Sequence, residues 1–466
     1  MNLHRLLLGF VAGLLVATTP WVSSYAQQQP VAIFHAFSEP FSEVESFVCE
    51  LANQGYSHVQ ISPAQKSHEP EKKWFYRYQP LDYNTIEGLG SESDLKHLID
   101  KAHSCGVKVI ADVVFNHMAN ADDGDEFEDL GKYPGLTAAD FHTKDGTTNE
   151  RNCEINYHDG NRTTEVDCWL GGLPDLDVEK AEVQELQEAH LKKLLSLGID
   201  GFRFDAAKHM PSDVLQKYIN FIDEKSHNQA WNYLEVIEDE DTKASDYNEV
   251  AAVTDFVLYN AMRGAFGFGG DLRSLRPPQA VPDARSVTFG QNHDTIREPQ
   301  AGAVNDNAIN PYLDITDGHL ATAYVLARED GTPLVFGPDN LRSPFIRFGV
   351  KFRQIMKQRG AEGKNVKEKI LAVVDSPTLL VMERGTEGFM VENKAIDRFD
   401  IPVLDMTLTD LEGCYRELRN NFTVAIQQRE AGKKFVTRWG TPQRGGMEVY
   451  PRDALFFVRE PFDQCQ

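Results

Sequence analysis

Three acidic residues draw attention because each lies at or near the end of an apolar, strand-like stretch. Asp205 ends "GFRFD", Glu235 lies within "NYLEVIE", and Asp294 ends "SVTFGQNHD". Arg203 precedes Asp205 by two positions, which in a strand places both side chains on one face. Charge inside an apolar run is costly unless it is paired or used in chemistry. Two carboxyl groups at one site can act as nucleophile and as acid and base, the pair that retaining glycosidic-bond hydrolysis requires.

The elements that must position these acids alternate between strand and helix patterns. Helical patterns cover Ser42 to Gln54, Ser93 to Cys105 and Val178 to Leu197. Strands separated by amphipathic helices indicate parallel βαβ units. Eight such strands predict an α/β fold of the (β/α)8 TIM-barrel type, with the active site at the carboxyl ends of the strands. The eight stretches are "VAIFHAF", "HVQISP", "VKVIADVVFNH", "GFRFD", "NYLEVIE", "AVTDFVL", "SVTFGQNHD" and "TPLVFG".

The alternation of strand and helix patterns is interrupted at residues 117–177 and gives way to a strand-rich pattern after residue 360. Residues 117–177 are rich in Gly, Asp, Asn and Thr, and a loop of that length inside a compact domain must fold as an insertion. We therefore assign 27–116 and 178–360 to the barrel and 117–177 to a small inserted domain. The last part, 361–466, contains short alternating stretches such as "TLLVMERG" and "DALFFV". These predict a C-terminal antiparallel β domain, expected to be a β-sandwich.

The first 26 residues have the features of a secretory signal peptide. Arg5 precedes an apolar run, and Ser24 and Ala26 form a small-x-small cleavage site. A transmembrane anchor is the less favoured alternative, because the run is short for a bilayer span. Export permits disulfides, but six cysteines allow 15 pairings, which spacing alone leaves open. The net charge of −24 argues against nucleic acid or an anionic membrane as partner.

Five short motifs carry a resemblance to a known family. "DVVFNH", "GFRFDAAKH", "EVIE" and "FGQNHD" follow one another in that order, and "LPDLD" lies in the insertion. They resemble the ordered sequence regions of the alpha-amylase family of glycoside hydrolases, and in places its secreted, animal-type members. The resemblance covers Val31 to Phe336 with specific motifs. It implies that Asp205 is the nucleophile, that Glu235 is the general acid/base, and that Asp294 orients the sugar.

The resemblance also implies a set of substrate contacts. Arg203 would keep Asp205 ionised, and Tyr78 would stack on the sugar at the cleavage point. The remaining contacts are His117 and His293 with hydroxyls of that sugar, Trp74 and Phe75 as an outer aromatic platform, and Lys208 and His209 toward the leaving group. If Trp74 and Phe75 belong to a strand, at least one of them is exposed.

Two further acids, Glu238 and Asp112, also lie in these strand-like stretches. Glu238 is a rival to Glu235 three residues later, and the family pattern favours Glu235. Asp112 lies early in its strand, so we expect it to hold backbone amides rather than to take part in the site.

A calcium ion is the cofactor that the resemblance implies. Its ligands would be the side chains of Asn116 and Asp175 and the carbonyls of Val166 and His209, an oxygen set suited to Ca²⁺. The alternative is that Asn116 and Asp175 only cap turns.

An activating chloride, which some relatives bind, is not expected in its ordinary form. Arg203 and Asn292 match two of its ligands, but the third basic position falls near Pro338.

The resemblance further suggests two disulfide bonds. Cys153 would pair with Cys168 inside the insertion, and Cys49 with Cys105 between the first two helices. Cys414 and Cys465 then remain as the third pair.

The predicted function is that of a secreted, monomeric alpha-amylase that cleaves α-1,4-glucosidic bonds inside starch, glycogen or maltooligosaccharides. Two alternatives stay open. A glucanotransferase or an exo-acting, maltooligosaccharide-forming enzyme would use the same residues, and "REPQAGAVNDNAINP" after Asp294 lacks the glycine-rich character of the animal-type loop. An inactive glucan-binding relative would typically lack one of the three acids, all of which are present.

Overall fold

The computed structural model describes residues 29–466 except 69–72, 121–129, 147, 158–159, 282–284, 297–307, 372–375, 398, 402, 406–408, 431–432, 440–446 and 466. The predicted signal peptide, 1–26, lies outside this range. The first ten strands are β1 (Ile33–Ala36), β2 (His58–Ile61), β3 (Gln65–Ser67), β4 (Pro80–Ile86), β5 (Lys108–Val114), β6 (Gly201–Asp205), β7 (Tyr233–Leu234), β8 (Ala252–Thr254), β9 (Ser286–Thr288) and β10 (Thr332–Phe336).

Eight of these strands close into a parallel barrel, as the sequence predicted. Its order is β1, β2, β5, β6, β7, β8, β9 and β10, and β10 pairs with β1 to close the ring. The two others, β3 and β4, form a separate antiparallel hairpin. Each of the eight predicted stretches supplies one barrel strand, so the (β/α)8 assignment is confirmed.

Helices follow the barrel strands and pack around them. They are α1 (Phe41–Gln54), α2 (Glu92–Ser104), α3 (Arg162–Asp167), α4 (Ala181–Leu197), α5 (Ser212–Ser226), α6 (Phe256–Phe266), α7 (Ile315–Ala327), α8 (Gly337–Arg342) and α9 (Ile346–Ala361). Helix α2 begins with a capping box between Ser91 and Asp94, and α4 ends at Gly198, whose φ of 108° is favoured only for glycine. Among the described helices, none combines the length and apolar character needed to span a bilayer.

Several strands, among them β7, β8 and β9, are shorter than the stretches that predicted them, and β8 is followed directly by a helix. The stretch "AVTDFVL" was predicted as strand throughout, but β8 ends at Thr254 and α6 begins at Phe256. Asp255 causes the switch, because its side chain accepts a hydrogen bond from the Leu258 backbone N–H at 2.8 Å. This is the N-cap interaction that starts a helix.

The insertion lies between β5 and α4. It contains α3 and several short 3-10 turns, and its end pairs with the segment that leaves β5. The Leu176 N–H donates to the Asn116 carbonyl at 2.9 Å, and the Met118 N–H donates to the Pro174 carbonyl at 2.9 Å. The insertion therefore begins and ends at the carboxyl end of β5, beside the predicted site.

The C-terminal part contains the remaining strands. They are β11 (Glu368–Leu371), β12 (Leu379–Arg384), β13 (Gly388–Asn393), β14 (Phe399–Ile401), β15 (Val403–Asp405), β16 (Gly413–Glu417), β17 (Thr423–Glu430), β18 (Lys433–Trp439), β19 (Met447–Val449) and β20 (Asp453–Glu460). We expected a β-sandwich. Instead, eight of the strands form one antiparallel sheet, and β14 and β19 form a two-stranded ladder. A twisted sheet of this size can curl around its own apolar residues without dividing in two.

All six cysteines are paired in the structure. Cys49 pairs with Cys105 across 56 positions, Cys153 with Cys168 across 15, and Cys414 with Cys465 across 51. These are the pairs that the resemblance implied.

Removing the short bridge of the insertion should weaken both stability and substrate binding. We expect the double variant C153S/C168S to lose about 3 kcal/mol of unfolding free energy, because the bridge restricts the unfolded chain. The bridge also encloses Tyr157, which lines the central cavity, so KM for maltooligosaccharides should rise. Denaturant unfolding and steady-state kinetics measure both effects. The matched control is C414S/C465S, which should lose stability and keep its KM; equal KM values in both variants would contradict the prediction.

Candidate active site

A cavity of about 540 Å³ opens at the carboxyl ends of the barrel strands. Ten of the residues singled out from the sequence line it: Trp74, Phe75, Tyr78, His117, Asp205, Lys208, His209, Glu235, His293 and Asp294. Residues at or beyond the ends of β2, β5, β6, β7 and β9 thus contribute side chains to one cavity.

Arg203 lies beneath this cavity and organises its acids. Its side chain is 3% exposed, and its Nη1 donates to Asp205 Oδ1 at 2.8 Å. The same Nη1 lies 2.8 and 2.7 Å from the two carboxylate oxygens of Asp112, and Nη2 donates to Glu235 Oε1. One buried guanidinium therefore contacts three carboxyl groups on three neighbouring strands.

Asp112 is the acid whose role the sequence prediction missed. We expected it to hold backbone amides, but it is fully buried and accepts from the side chains of Arg203 and Tyr78, the latter at 3.1 Å. The parallel register explains the contact, because Asp112 on β5 lies directly beside Arg203 on β6. The available signal was an acid inside the apolar run "VIADVV", the same signal that identified Arg203.

The single positive charge of Arg203 cannot neutralise the three carboxyl groups that it contacts, those of Asp112, Asp205 and Glu235. Burial raises the pKa of Asp112 to about 6, although Arg203 lowers it. Burial also raises the pKa of Asp205 well above its ordinary value; Arg203 opposes this shift, and the negative charges of Glu235 and Asp112 add to it. The pKa of Asp294 is likewise raised, by burial and then by Glu235. Interacting acids of this kind share protons as a group.

Glu235 and Glu238, the two candidates for the general acid, have different hydrogen-bond partners. Glu235 reaches Arg203 with one carboxylate oxygen, and its other oxygen accepts the Ala206 N–H at 2.9 Å. Glu238 also lines the cavity, but its Oε1 accepts the Ala244 N–H at 2.8 Å and holds its own loop. Only Glu235 is thus joined to the Arg203 cluster.

Two neutral histidines flank the acids. Burial lowers the pKa of His117 to about 4 and that of His293 well below its ordinary value. His117 Nε2 donates to the Tyr78 backbone carbonyl at 3.0 Å, so this nitrogen is already engaged. The His293 ring stacks on the Tyr78 ring with centroids 5.3 Å apart, and its Nε2 lies 3.3 Å from Asp294 Oδ2.

The aromatic platform does not lie on a strand. Residues Trp74–Tyr78 form a 3-10 helix, so the two adjacent aromatic side chains are not placed on opposite faces by a pleat. Trp74 packs inward, with its ring 5.6 Å from that of His293, whereas Phe75 is 39% exposed. Both still line the cavity.

Two of the four predicted calcium ligands, Asn116 and Asp175, contact each other. Asp175 is buried, and its oxygens accept from Asn116 Nδ2 at 3.0 Å and from His142 Nδ1 at 2.7 Å. His209 Nδ1 donates to the Glu165 carbonyl at 2.9 Å, which joins the His209 turn to α3, the helix that contains Val166.

These residues fit a calcium ion chemically. The buried carboxylate of Asp175 accepts side-chain hydrogen bonds from an amide and an imidazole, and a carboxylate is a preferred calcium ligand. An Asn amide presents oxygen or nitrogen according to its rotation. The Val166 carbonyl lies in the last turn of α3, where carbonyls have no partner inside the helix. Only one carboxylate belongs to the predicted set, and within the described residues no three His, Cys, Asp or Glu side chains form a metal cluster.

Arg203 and Asn292, the two residues that match chloride ligands, both make contacts within the chain. The contacts of its guanidinium described above are all to carboxylates, and Asn292 Oδ1 accepts from the N–H groups of Asp294 and Thr295, each at 3.1 Å. Pro338 lies in the first turn of α8 and carries no charge.

Comparisons with known proteins agree with this fold. Residues 51–262 match the family model for the alpha amylase catalytic domain. An alpha-amylase from Aeromonas hydrophila is 34% identical over 373 residues, covering 70% of this chain and 73% of that protein. An alpha-amylase-related protein from Drosophila ercepeae is 30% identical over 352 residues, covering 68% of this chain and 69% of its own.

Solved structures extend the likeness of the fold to nearly the whole chain. Alpha-amylase I from Eisenia fetida, solved as an E249Q mutant with maltohexaose, superposes with a TM-score of 0.71 at 22% identity, covering 91% of this chain and 98% of its own. The cyclomaltodextrin glucanotransferase CldA superposes with a TM-score of 0.65 at 18% identity, covering 92% and 99%. The family model and these relatives show that the protein is a glycoside hydrolase. This chain belongs to the alpha-amylase family.

Proposed function

We propose that this protein is a secreted alpha-amylase that cleaves internal α-1,4-glucosidic bonds of starch or glycogen with retention of configuration. The observation that carries this proposal is the contact of one buried guanidinium, Arg203, with both Asp205 and Glu235 at the floor of the cavity. The two carboxyl groups required by a retaining mechanism are therefore held beside one another by a common partner.

The chemistry assigns a different role to each acid. An oxygen of Asp205 bonds to the anomeric carbon as the bond from that carbon to the glycosidic oxygen breaks, and Glu235 gives its proton to the departing oxygen. Glu235, now ionised, takes a proton from water, whose oxygen displaces Asp205 from the anomeric carbon. Arg203 favours the ionised form of Asp205. Asp294, in the segment that follows β9, binds sugar hydroxyls and favours the distorted ring.

The remaining cavity residues hold the sugar chain. Tyr78 and Trp74 offer aromatic faces to the apolar C–H faces of glucose, and Phe75 extends this platform outward. His117 contacts a sugar hydroxyl after exchanging its present bond to the Tyr78 carbonyl. Lys208 and His209 line the side next to Glu235, where the leaving sugar departs.

Secretion is supported by two independent features of the chain. Residues 1–26 have the pattern of a signal peptide, and all six cysteines are paired, which suits an oxidising compartment. We further propose that the protein acts as a monomer.

Calcium removal should destabilise the insertion and reduce activity. Asn116, Asp175 and the carbonyls of Val166 and His209 would hold the ion, which supplies positive charge to the buried Asp175. Because an ion that binds only the folded state stabilises it, we expect a chelator to lower Tm and added Ca²⁺ to restore it. The variant D175N should have a low Tm that no longer responds to either. A chelator response retained in D175N would contradict this assignment.

Product analysis tests the proposed function directly. The mature protein is incubated with soluble starch, and early products are separated by size and by anomeric form. Mixed oligosaccharides in the α-form are expected. A single short product or cyclic dextrins would indicate an exo-acting enzyme or a glucanotransferase, and starch binding without cleavage would indicate an inactive relative.

A further inference from the structure

An ion pair forms part of the cavity wall next to Glu235. Lys208 is 5% exposed, and its ammonium donates to Asp239 Oδ2. The same ammonium lies 4.7 Å from the centroid of the Tyr157 ring. All three residues line the cavity, and neither Asp239 nor Tyr157 was singled out from the sequence.

Asp239 is held rigidly on the side away from Lys208. Its Oδ1 accepts from the N–H groups of Asp241 and Thr242, each at 2.9 Å. Burial alone would raise the pKa of Asp239, but the hydrogen bonds from Lys208 and the Thr242 N–H lower it to about 2, so the group is a carboxylate throughout the neutral range.

The inserted domain contacts the loop that contains Asp239 and Thr242. Thr242 Oγ1 donates to Glu165 Oε2, and Glu165 is fully buried and accepts from Arg162 Nη1 at 2.6 Å. These contacts fix the position of the Asp239 carboxylate. The ion pair therefore holds the Lys208 ammonium at one place on the cavity wall.

The position of this wall follows from the backbone. The Lys208 N–H donates to the Glu235 carbonyl at 3.3 Å, so the Lys208 turn lies directly beside the general acid. Glu235 must contact the departing glycosidic oxygen. Lys208 and Asp239 consequently face the sugar units on the leaving-group side.

We propose that Asp239 is a specificity-determining residue of the leaving-group side, because it fixes the Lys208 ammonium where its remaining N–H donors bind hydroxyls of a glucosyl leaving group. This inference rests on the proposed glucan hydrolysis. The leaving-group side then selects for glucosyl units over groups without hydroxyls, such as a phenol. Without Asp239, the Lys208 ammonium would be a buried charge that has lost its carboxylate partner. Because such a charge is costly to bury, we expect the ammonium to leave its place on the cavity wall.

The experiment compares two substrates that differ in their leaving group. Maltoheptaose places glucosyl units next to Lys208, whereas a chloronitrophenyl maltotrioside places a phenol there. For D239N we expect kcat/KM on maltoheptaose to fall between about tenfold and a hundredfold, the range for hydrogen bonds to charged groups. The aryl substrate should change by less than about twofold, because its leaving group makes no such bond. The matched control is D246N, an exposed acid that caps a turn of the same loop.

Further variants separate specificity from a structural defect. D239E should restore part of the maltoheptaose activity, and D239N should cause no further loss in a K208M background. An equal fall on both substrates, or no fall on either, would overturn the inference. If the parent protein cleaves neither substrate, the proposed function fails; maltoheptaose binding measured by calorimetry then tests the pair, and equal affinity of parent and D239N would overturn it.

Discussion

Replacing Asp205 with asparagine is expected to reduce kcat on soluble starch by about 10⁴-fold or more, the scale seen when a catalytic nucleophile is removed. An amide oxygen cannot form the ester bond to the anomeric carbon. Stability should not fall with activity. Asp205 is one of three carboxyl groups that contact the single guanidinium of Arg203, so removing its charge relieves repulsion with Glu235 and Asp112.

The measurement therefore pairs kinetics with thermal unfolding. In D205N we expect lost turnover, a Tm equal to or above that of the parent, and retained maltohexaose binding by calorimetry. The control is D213N, an exposed acid in the first turn of α5, which should match the parent in every respect. Turnover within tenfold of the parent would exclude Asp205 as the nucleophile.

Replacing Arg203 with methionine should have the largest effect on stability. The variant leaves three buried carboxyl groups without their positive partner. Removing one member of a buried ion pair typically costs about 3–5 kcal/mol, and we expect that loss in the free energy of unfolding at pH 7. We also expect kcat to fall by about 10²-fold or more, because the charge that favours ionised Asp205 is gone.

The loss should depend on pH in a defined direction. Arg203 lowers the pKa values of Asp112, Asp205 and Asp294 in the parent, so these values rise further in R203M. The folded variant then binds protons that the unfolded chain, with ordinary carboxyl pKa values, has already released. Stability falls with rising pH wherever the folded state holds more protons. The stability difference from the parent should thus be smaller at pH 5 than at pH 8.

Denaturant unfolding across that pH range provides the check. The parent itself should lose some stability as the pH rises from about 4, because the pKa of Asp112 is raised to about 6 and those of Asp205 and Asp294 are also raised. In R203M the loss should be steeper and should extend to higher pH than in the parent. R203K, which keeps the charge and loses the planar fork, should lie between the two. Curves that run parallel from pH 5 to pH 8 would contradict the electrostatic account.

Much of this molecule was predictable from local sequence patterns. The eight barrel strands follow from apolar runs and the helices between them, since such patterns report which residues face a core. Asp205, Glu235 and Asp294 were predictable as site residues because each lies where a parallel strand ends. The strand prediction was wrong where a side chain starts a helix. Asp255 caps α6 inside a stretch that was predicted to be strand throughout.

Other features depended on contacts between distant segments. Asp112 and Arg203 are 91 positions apart and become neighbours only through the register of β5 and β6. Asp239 meets Lys208 across 31 positions, and the insertion supports both from a third region of the chain.

The sequence by itself therefore determined the barrel, the order of its strands and three of the acids that line the cavity, because these follow from patterns within single elements. Only the tertiary structure decided which acids contact Arg203, which residues line the cavity wall beside Glu235, and that eight of the C-terminal strands form one sheet. Those outcomes depend on strand register and on packing between segments far apart in the chain, which no local pattern records.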